Sequence, residues 1–215
     1  VENVTAALYV GIALAIGMVA REYARARTAD ALGDPNPRRW GWLSFRPRAW
    51  IDPFGTVILP ALILILWAAG VRTPPFAYAK PIPLDPHALR RQPRDVVLVS
   101  VAGPIANVVL AIVAAIGLRL GLGGIAGEPC QLLSLFAFTN LSLAVFHLMP
   151  IPGLDGARML ALVMPPRPRE VYRNLEQYLI LFILLIYFLL GGIALGIVDA
   201  LTDALMRVIV GPFRC

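Results

Sequence analysis

Long apolar runs separated by short charged or proline-rich stretches make up most of this chain. The first, Ala6 to Ala20, passes into a charged turn, so one helix is expected from about Thr5 to Leu32, ended by Gly33. Phe54 to Val71 is a second apolar run, broken by Pro60. Val96 to Leu118 predicts a spanning helix with Ala102-Gly103-Pro104-Ile105-Ala106-Asn107 in its first half. Leu132 to Met149 predicts another, with Asn140 and His147 as its polar members, and Tyr178 to about Val198 a further one. In the last stretch, Ile197 to Val210, Asp199, Asp203 and Arg207 fall at successive i, i+4 steps. That pattern reads as an amphipathic helix, lying on the membrane or packed against the other helices, with an Asp203 to Arg207 pair on its surface.

The connecting stretches differ in kind. Pro35 to Pro53 interleaves Trp40, Trp42, Phe45 and Trp50 with Arg38, Arg39, Arg46 and Arg48, which predicts a short β-hairpin or extended loop in the membrane interface. Thr73 through Pro86 is too rich in proline to be helical and is expected to be extended, with His87 a solvated loop residue after it. Leu120 to Pro129 is a Gly-rich turn.

Composition sharpens this into a class. A 215-residue chain that is 59% hydrophobic with mean hydropathy +0.75 is a membrane protein with room for one domain. The expected fold is an all-α polytopic bundle of about 4–6 transmembrane helices. The net charge of +6 is mostly arginine beside apolar runs, which suits the lipid bilayer rather than nucleic acid. Cys130 and Cys215 have no metal-type spacing, and their pairing depends on whether the last segment crosses. Val-Glu-Asn-Val before the first run offers no basic n-region and no small-residue cleavage site follows, so that run is expected to stay as a membrane anchor.

Basic residues also set a topology. Arg21 to Pro53 holds seven, Arg72 to Asp95 five, the segment after Gly156 several, and Leu120 to Gln131 none. The positive-inside rule puts the first three on the cytoplasmic side, provided Phe54 to Asp95 makes an out-and-back excursion. Arg21, Glu22, Arg25 and Asp155 then share one depth, near the cytoplasmic face of a multi-pass protein in a cell membrane such as the bacterial cytoplasmic membrane.

The candidate chemistry lies in Arg21-Glu22-Tyr23-Ala24-Arg25. On a helix, Arg21 and Arg25 stack one turn apart with Glu22 beside them, the spacing of the zinc-protease motif His-Glu-x-x-His. The bland alternative is snorkelling at a membrane exit. Taken in order, that stretch together with Gly33-Asp34, Ile51-Asp52-Pro53-Phe54-Gly55-Thr56, Leu59-Pro60, Ala79-Lys80-Pro81-Ile82-Pro83, Ala102-Gly103-Pro104-Ile105-Ala106-Asn107 and Asn140 to Gly156 resembles the site-2 protease family of intramembrane zinc metalloproteases. The resemblance implies one membrane domain over 1–215, with a family core at 6–156 and C-terminal helices at 174–213. It implies zinc held inside the bilayer, Glu22 at the general-base position, Asp155 at the third-ligand position, Asn107 as the polar asparagine, and transmembrane segments of regulatory proteins as substrates.

The departures fall on the metal. Arg21 and Arg25 stand where the family has its two histidine ligands, and guanidinium has no lone pair to give. Zinc, two neutral histidines and two carboxylates total zero charge, as do two arginines with Glu22 and Asp155. The arginines are therefore expected to take the zinc's place in a desolvated ion-pair cluster, with no cofactor and with partner transmembrane segments bound but not cut. Two other functions stay open: an active metalloprotease with an irregular site, Glu22 as base and Asp155 plus His147 as zinc ligands, and a small transporter. Asn107 is open between binding a substrate carbonyl and bonding across helices. Asn140 and His147 are further candidate binding residues.

Overall fold

A computed structural model describes residues 2–44, 51–80, 84–121, 127–179, 181–182, 185 and 191–211. Its helices are α1 (Glu2–Ala31), α2 (Asn36–Arg39), α3 (Leu59–Ala68), α4 (Arg94–Arg119), α5 (Glu128–Leu148), α6 (Asp155–Val163), α7 (Pro166–Asn174) and α8 (Gly191–Ile209). A π-helical turn, Pro53–Ile58, runs into α3, and single 3-10 turns lie at Pro86–Ala88 and Leu175–Tyr178. No strand occurs among the described residues. Three helices, Glu2–Leu32, Arg94–Arg119 and Glu128–Leu148, are long and apolar enough to cross a membrane.

The outer surface of this bundle is itself apolar. Leu8, Ile12 and Ile16 on α1, and Ile105, Val109, Val113 and Ile116 on α4, are all exposed and recur at helical spacing. A stripe of that kind is a liability in water and a fit for lipid. The opposite face of α1 buries Val10, Leu14 and Met18 against Leu143 and Phe146 of α5 and Leu59, Ile63 and Trp67 of α3. A second cluster joins Ala111, Ala115 and Leu118 of α4 to Leu141 and Cys130 of α5 and to Met206 at the end of α8.

Residues 53–80 run out along the bundle and come back to their starting level. Asp52 caps the π-helical turn by accepting from the backbone N–H groups of Phe54 and Gly55, and α3 then climbs to the far end, where Arg72 donates to Asn3. On the return, Tyr78 N–H donates to the Gly55 carbonyl and Thr56 Oγ1 donates to the Tyr78 carbonyl. The helical rise from Gly55 to Trp67 is about 18 Å. Thr73 to Tyr78 covers it only near full extension, at about 3.3–3.6 Å per residue. This is the out-and-back form that the proline content suggested, except that Pro86–Ala88 closes into a 3-10 turn, where His87 is exposed.

Two expectations change. The hairpin is replaced at Asn36–Arg39 by one turn of helix, because Pro37 sits in the first turn, where it has no N–H to lose. Trp42 then buries against Ala26, while residues 45–50 lie outside the described set. At the other end of the chain, Gly191–Ile209 is a single helix, so the boundary expected near residue 197 is absent; most of 180–190 lies outside the described residues. This helix packs inward. Val198, Thr202 and Met206 are buried, Asp199 and Asp203 flank them half-buried, and Arg207 is exposed, so of the two expected forms this helix takes the one packed against its neighbours. Cys130 is disulfide-bonded; Cys215 lies outside the described residues.

Candidate functional site

The buried stripe of α1 continues through its charged turn. Arg21, Glu22 and Arg25 are 2%, 2% and 5% exposed, so neither arginine snorkels to water. Helical spacing explains why: residues 14, 18, 21, 22 and 25 share the face that packs on the bundle. The partner comes from the loop after α5. That helix ends at Leu148, the chain turns through Pro150–Gly153, and Asp155 opens α6 with 1% exposure. Gly156 makes the turn possible, since a Cβ there would lie 2.0 Å from the Leu148 carbonyl oxygen.

Arg21 bridges Glu22 and Asp155 with its two terminal nitrogens. Arg25 donates from Nη1 to Glu22 Oε2 at 3.0 Å, and its Nε stands 3.3 Å from Asp155 Oδ1. Each guanidinium thus contacts both carboxylates. The loop from α5 to α6 is tied to α1 across 134 residues of sequence. α4 closes the cluster from the side: a Cβ on Gly103 would be 2.9 Å from Arg21 Cγ and from Arg25 Cδ, so this glycine lets the helix lie directly on the arginine stems. Burial by itself would raise the Asp155 carboxyl, but Arg21 and Arg25, then Arg158, outweigh it and hold it below the usual carboxylate range.

Two charges escaped the sequence reading. Arg158 lies one turn past Asp155, and its buried Nη1 has no hydrogen-bond partner. Burial and then the charge of Arg25 push its guanidinium down, opposed by Asp155, Glu176 and Glu22. Glu176 acts on Arg25 as well. Arg21, Arg25 and Arg158 therefore face Glu22, Asp155 and Glu176, and the wider set is again neutral. The i, i+3 spacing from Asp155 could have revealed Arg158. Nothing local points to Glu176, which reaches the site through α7 and the 3-10 turn after it.

Asn107 and Asn140 lie apart from this cluster. Asn107 Nδ2 donates to the Gly17 carbonyl at 3.2 Å and to Asn140 Oδ1 at 2.9 Å, while Asn140 Nδ2 donates to the Phe136 carbonyl at 2.9 Å. These bonds join α1, α4 and α5. His147 is 1% exposed, and its Nδ1 lies 2.9 Å from the Leu143 carbonyl, which can only accept. Nδ1 therefore carries the proton, and Nε2 keeps a buried lone pair with no partner. Arg21, Asp155 and Arg25 are within its electrostatic reach.

Zinc does not fit the residues that stand here. Two of the positions present guanidinium, and among the described residues no group of three His, Cys, Asp or Glu side chains converges. Glu22, Asp155 and His147 are thus not arranged as a three-ligand cage. Beside the cluster is a cavity of about 290 Å³ between α1, α3 and the returning extended segment, with Leu14, Met18, Pro60, Ala77 and Ala79 among its walls and Glu22 at one side.

The bundle and its apolar outer face define a polytopic helical membrane protein. The chain is 31% identical over 216 residues to "Putative zinc metalloprotease YwhC" of Bacillus subtilis, covering 96% of this chain and 93% of that one. It is 28% identical over 190 residues to "Putative zinc metalloprotease Rip2" of Mycobacterium tuberculosis, covering 87% and 70%, and 29% identical over 191 residues to the protein of that name in Mycolicibacterium smegmatis, covering 83% and 69%. The chain belongs to the site-2 protease family. No protein-family model and no solved structure matches it.

Proposed function

We propose that this protein is a metal-free member of its family that binds transmembrane segments of other membrane proteins without cutting them. The observation that carries this reading is the double bridging of Arg21 and Arg25 to both Glu22 and Asp155. A cation pair fills the space between the two carboxylates, and Glu22 is held by two guanidiniums instead of standing free to take a proton from water. The groove beside it suits an extended peptide. Tyr78 turns its N–H and C=O toward Gly55 and Thr56. In an extended strand the neighbouring residues turn theirs the other way, so Ala77 and Ala79 offer a backbone edge in the cavity wall. With basic residues gathered at this end, the site lies near the cytoplasmic face of a multi-pass protein in the cell membrane.

The test is metal analysis of the purified protein beside the Arg21→His, Arg25→His double variant, with capture of a model transmembrane peptide measured on both. The reading expects no stoichiometric zinc in the unaltered protein, zinc in the double variant, and peptide binding by the unaltered protein. Stoichiometric zinc in the unaltered protein overturns it. The unpartnered His147 Nε2 supports a second reading, an active metalloendopeptidase with an irregular site. Zinc lost on His147→Ala, together with cleavage of the peptide, selects that reading.

A further inference from the structure

The apolar outer stripe of α4 runs into charge at its first turn. Arg94, Leu98, Ile105, Val109, Ile112 and Ile116 are all exposed and fall on one side of this helix. From Leu98 to Ile116 the helix rises about 27 Å, close to the hydrocarbon thickness of a bilayer. Arg94 stands about 6 Å beyond that layer, at the depth of lipid headgroups. Three more arginines belong to the same end of the bundle. The Arg90 N–H donates to the Leu32 carbonyl just past the end of α1, and its side chain covers Gly33, where a Cβ would be 3.2 Å from Arg90 Cγ. Arg91 is held ahead of α4 by a 2.8 Å bond from its backbone N–H to the buried Asp95 carboxylate. Arg39 closes α2, next to the exposed Trp40.

The acids of this region are engaged elsewhere. Asp30 pairs with Arg27 and Arg38, Asp34 accepts from the backbone N–H groups of Asn36 and Asp85, and Asp85 accepts from that of His87. Among the described residues, Arg39, Arg90, Arg91 and Arg94 are all exposed and none stands in an ion pair.

We propose that this end of α4 is a binding site for an anionic phospholipid, its phosphate on the four free arginines and one acyl chain along Leu98, Ile105 and Val109. The stripe and the charges call for the two halves of one molecule, an apolar chain and an anion, joined at the depth where the stripe ends. Guanidinium offers paired N–H donors to phosphate oxygens, and the Trp40 ring is of the type that settles among headgroups. A zwitterionic headgroup brings its own cation to the same place, so its phosphate gains less from the arginines than one with net negative charge. An acidic protein fits less well, because it would have to reach Arg94 through the headgroups of the lipids that cover the stripe. The site is separate from the peptide groove and does not depend on it.

The experiment is native mass spectrometry of the whole 215-residue chain, purified in detergent and titrated with equal amounts of phosphatidylglycerol, phosphatidylcholine and phosphatidylethanolamine. Phosphatidylglycerol is expected to be retained about tenfold above the other two, since each basic side chain near a charged lipid surface can supply about fivefold. Changing Arg39, Arg90, Arg91 and Arg94 together to Gln abolishes the preference. Arg94→Gln alone, a milder change at an exposed helix start, lowers it severalfold, whereas Arg167→Gln, which removes an exposed arginine from α7, leaves it unchanged. Equal retention of the three lipids overturns the proposal, as does a preference that survives the fourfold variant or falls as far in Arg167→Gln as in Arg94→Gln. Binding of polyglutamate that is lost in the fourfold variant while phosphatidylglycerol retention is unchanged assigns the arginines to an acidic protein partner and also overturns it.

Discussion

Asp155→Asn removes the carboxylate shared by Arg21 and Arg25 while keeping the size of the side chain. At the observed 3.3 Å between Arg25 Nε and Asp155 Oδ1, an effective dielectric near 20 makes that one attraction about 5 kcal/mol before desolvation is set against it. The variant leaves two buried guanidiniums facing Glu22, and removing one partner of a buried pair costs about 3–5 kcal/mol. That is a large part of a stability of about 5–15 kcal/mol. Replacing the whole cluster with apolar residues, as in Arg21→Met, Glu22→Leu, Arg25→Met, Asp155→Leu, is expected to be close to neutral, because it removes the desolvation cost together with the attraction. The assay is reversible unfolding in mixed micelles, followed by circular dichroism, at low and at 1 M salt. Buried pairs are screened little, so the loss in Asp155→Asn stays the same at both. A loss under about 1 kcal/mol, or one that vanishes in salt, refutes a desolvated cluster and returns the arginines to the membrane surface.

Three further outcomes follow from neighbouring contacts. Gly156→Ala places a Cβ 2.0 Å from backbone, which no rotamer relieves, so expression of folded protein should fall sharply, as read by size-exclusion chromatography. Asn107→Leu removes the donor shared by Gly17 and Asn140 and should lower stability by about 0.6–2 kcal/mol in the same unfolding assay, with peptide capture unchanged. Asp155 is held below its ordinary value when folded, so its contribution is complete above the unfolded carboxylate value near 3.9 and is lost as pH falls through the folded one. Acid titration of the melting temperature should therefore drop below about pH 4 in the unaltered protein, and the drop should be smaller in Asp155→Asn.

Hydropathy alone located α1, α4 and α5 to within a few residues, because a lipid-facing surface and a buried one both require apolar side chains and the runs are unbroken. The Trp- and Arg-rich stretch misled because alternating aromatic and charged residues look like strand, whereas the outcome at Asn36–Arg39 depends on Pro37 in a helical first turn and on Trp42 finding Ala26. At the site, Arg21, Glu22 and Arg25 were legible as one face from spacing. Their link to Asp155 was legible only through the order of motifs, since no local rule joins residues 134 positions apart. Glu176 was beyond either route, and the inward turn of Asp199 and Asp203 depends on which neighbours α8 meets.

On the proposed reading the buried carboxylates of Glu22 and Asp155 pose two separate physical demands, and the arginines meet one of them. Two carboxylates buried between α1 and α6 need two positive charges close by, or one carboxylate must take up a proton or the loop must open to water. Two guanidiniums supply that charge with directed donors, and each touches both carboxylates. They supply no open coordination position and no lone-pair acceptor, so they cannot lower the pKa of a water or polarise a carbonyl as a bound metal does. On the proposed reading, the charge at this point keeps α6 docked on α1 whether or not peptide bonds are cut. This separates two variants that look alike on paper. Arg21→Lys with Arg25→Lys keeps the charge but loses the planar fork that spans both carboxylates, and should keep α6 docked while loosening it. Arg21→Gln with Arg25→Gln removes the charge, and should release Asp155 from α1 and expose it to solvent. Hydrogen exchange at the first turn of α6 distinguishes the two. Equal protection in both variants would mean that packing of Gly103 and Gly156, and not charge, holds the loop in place.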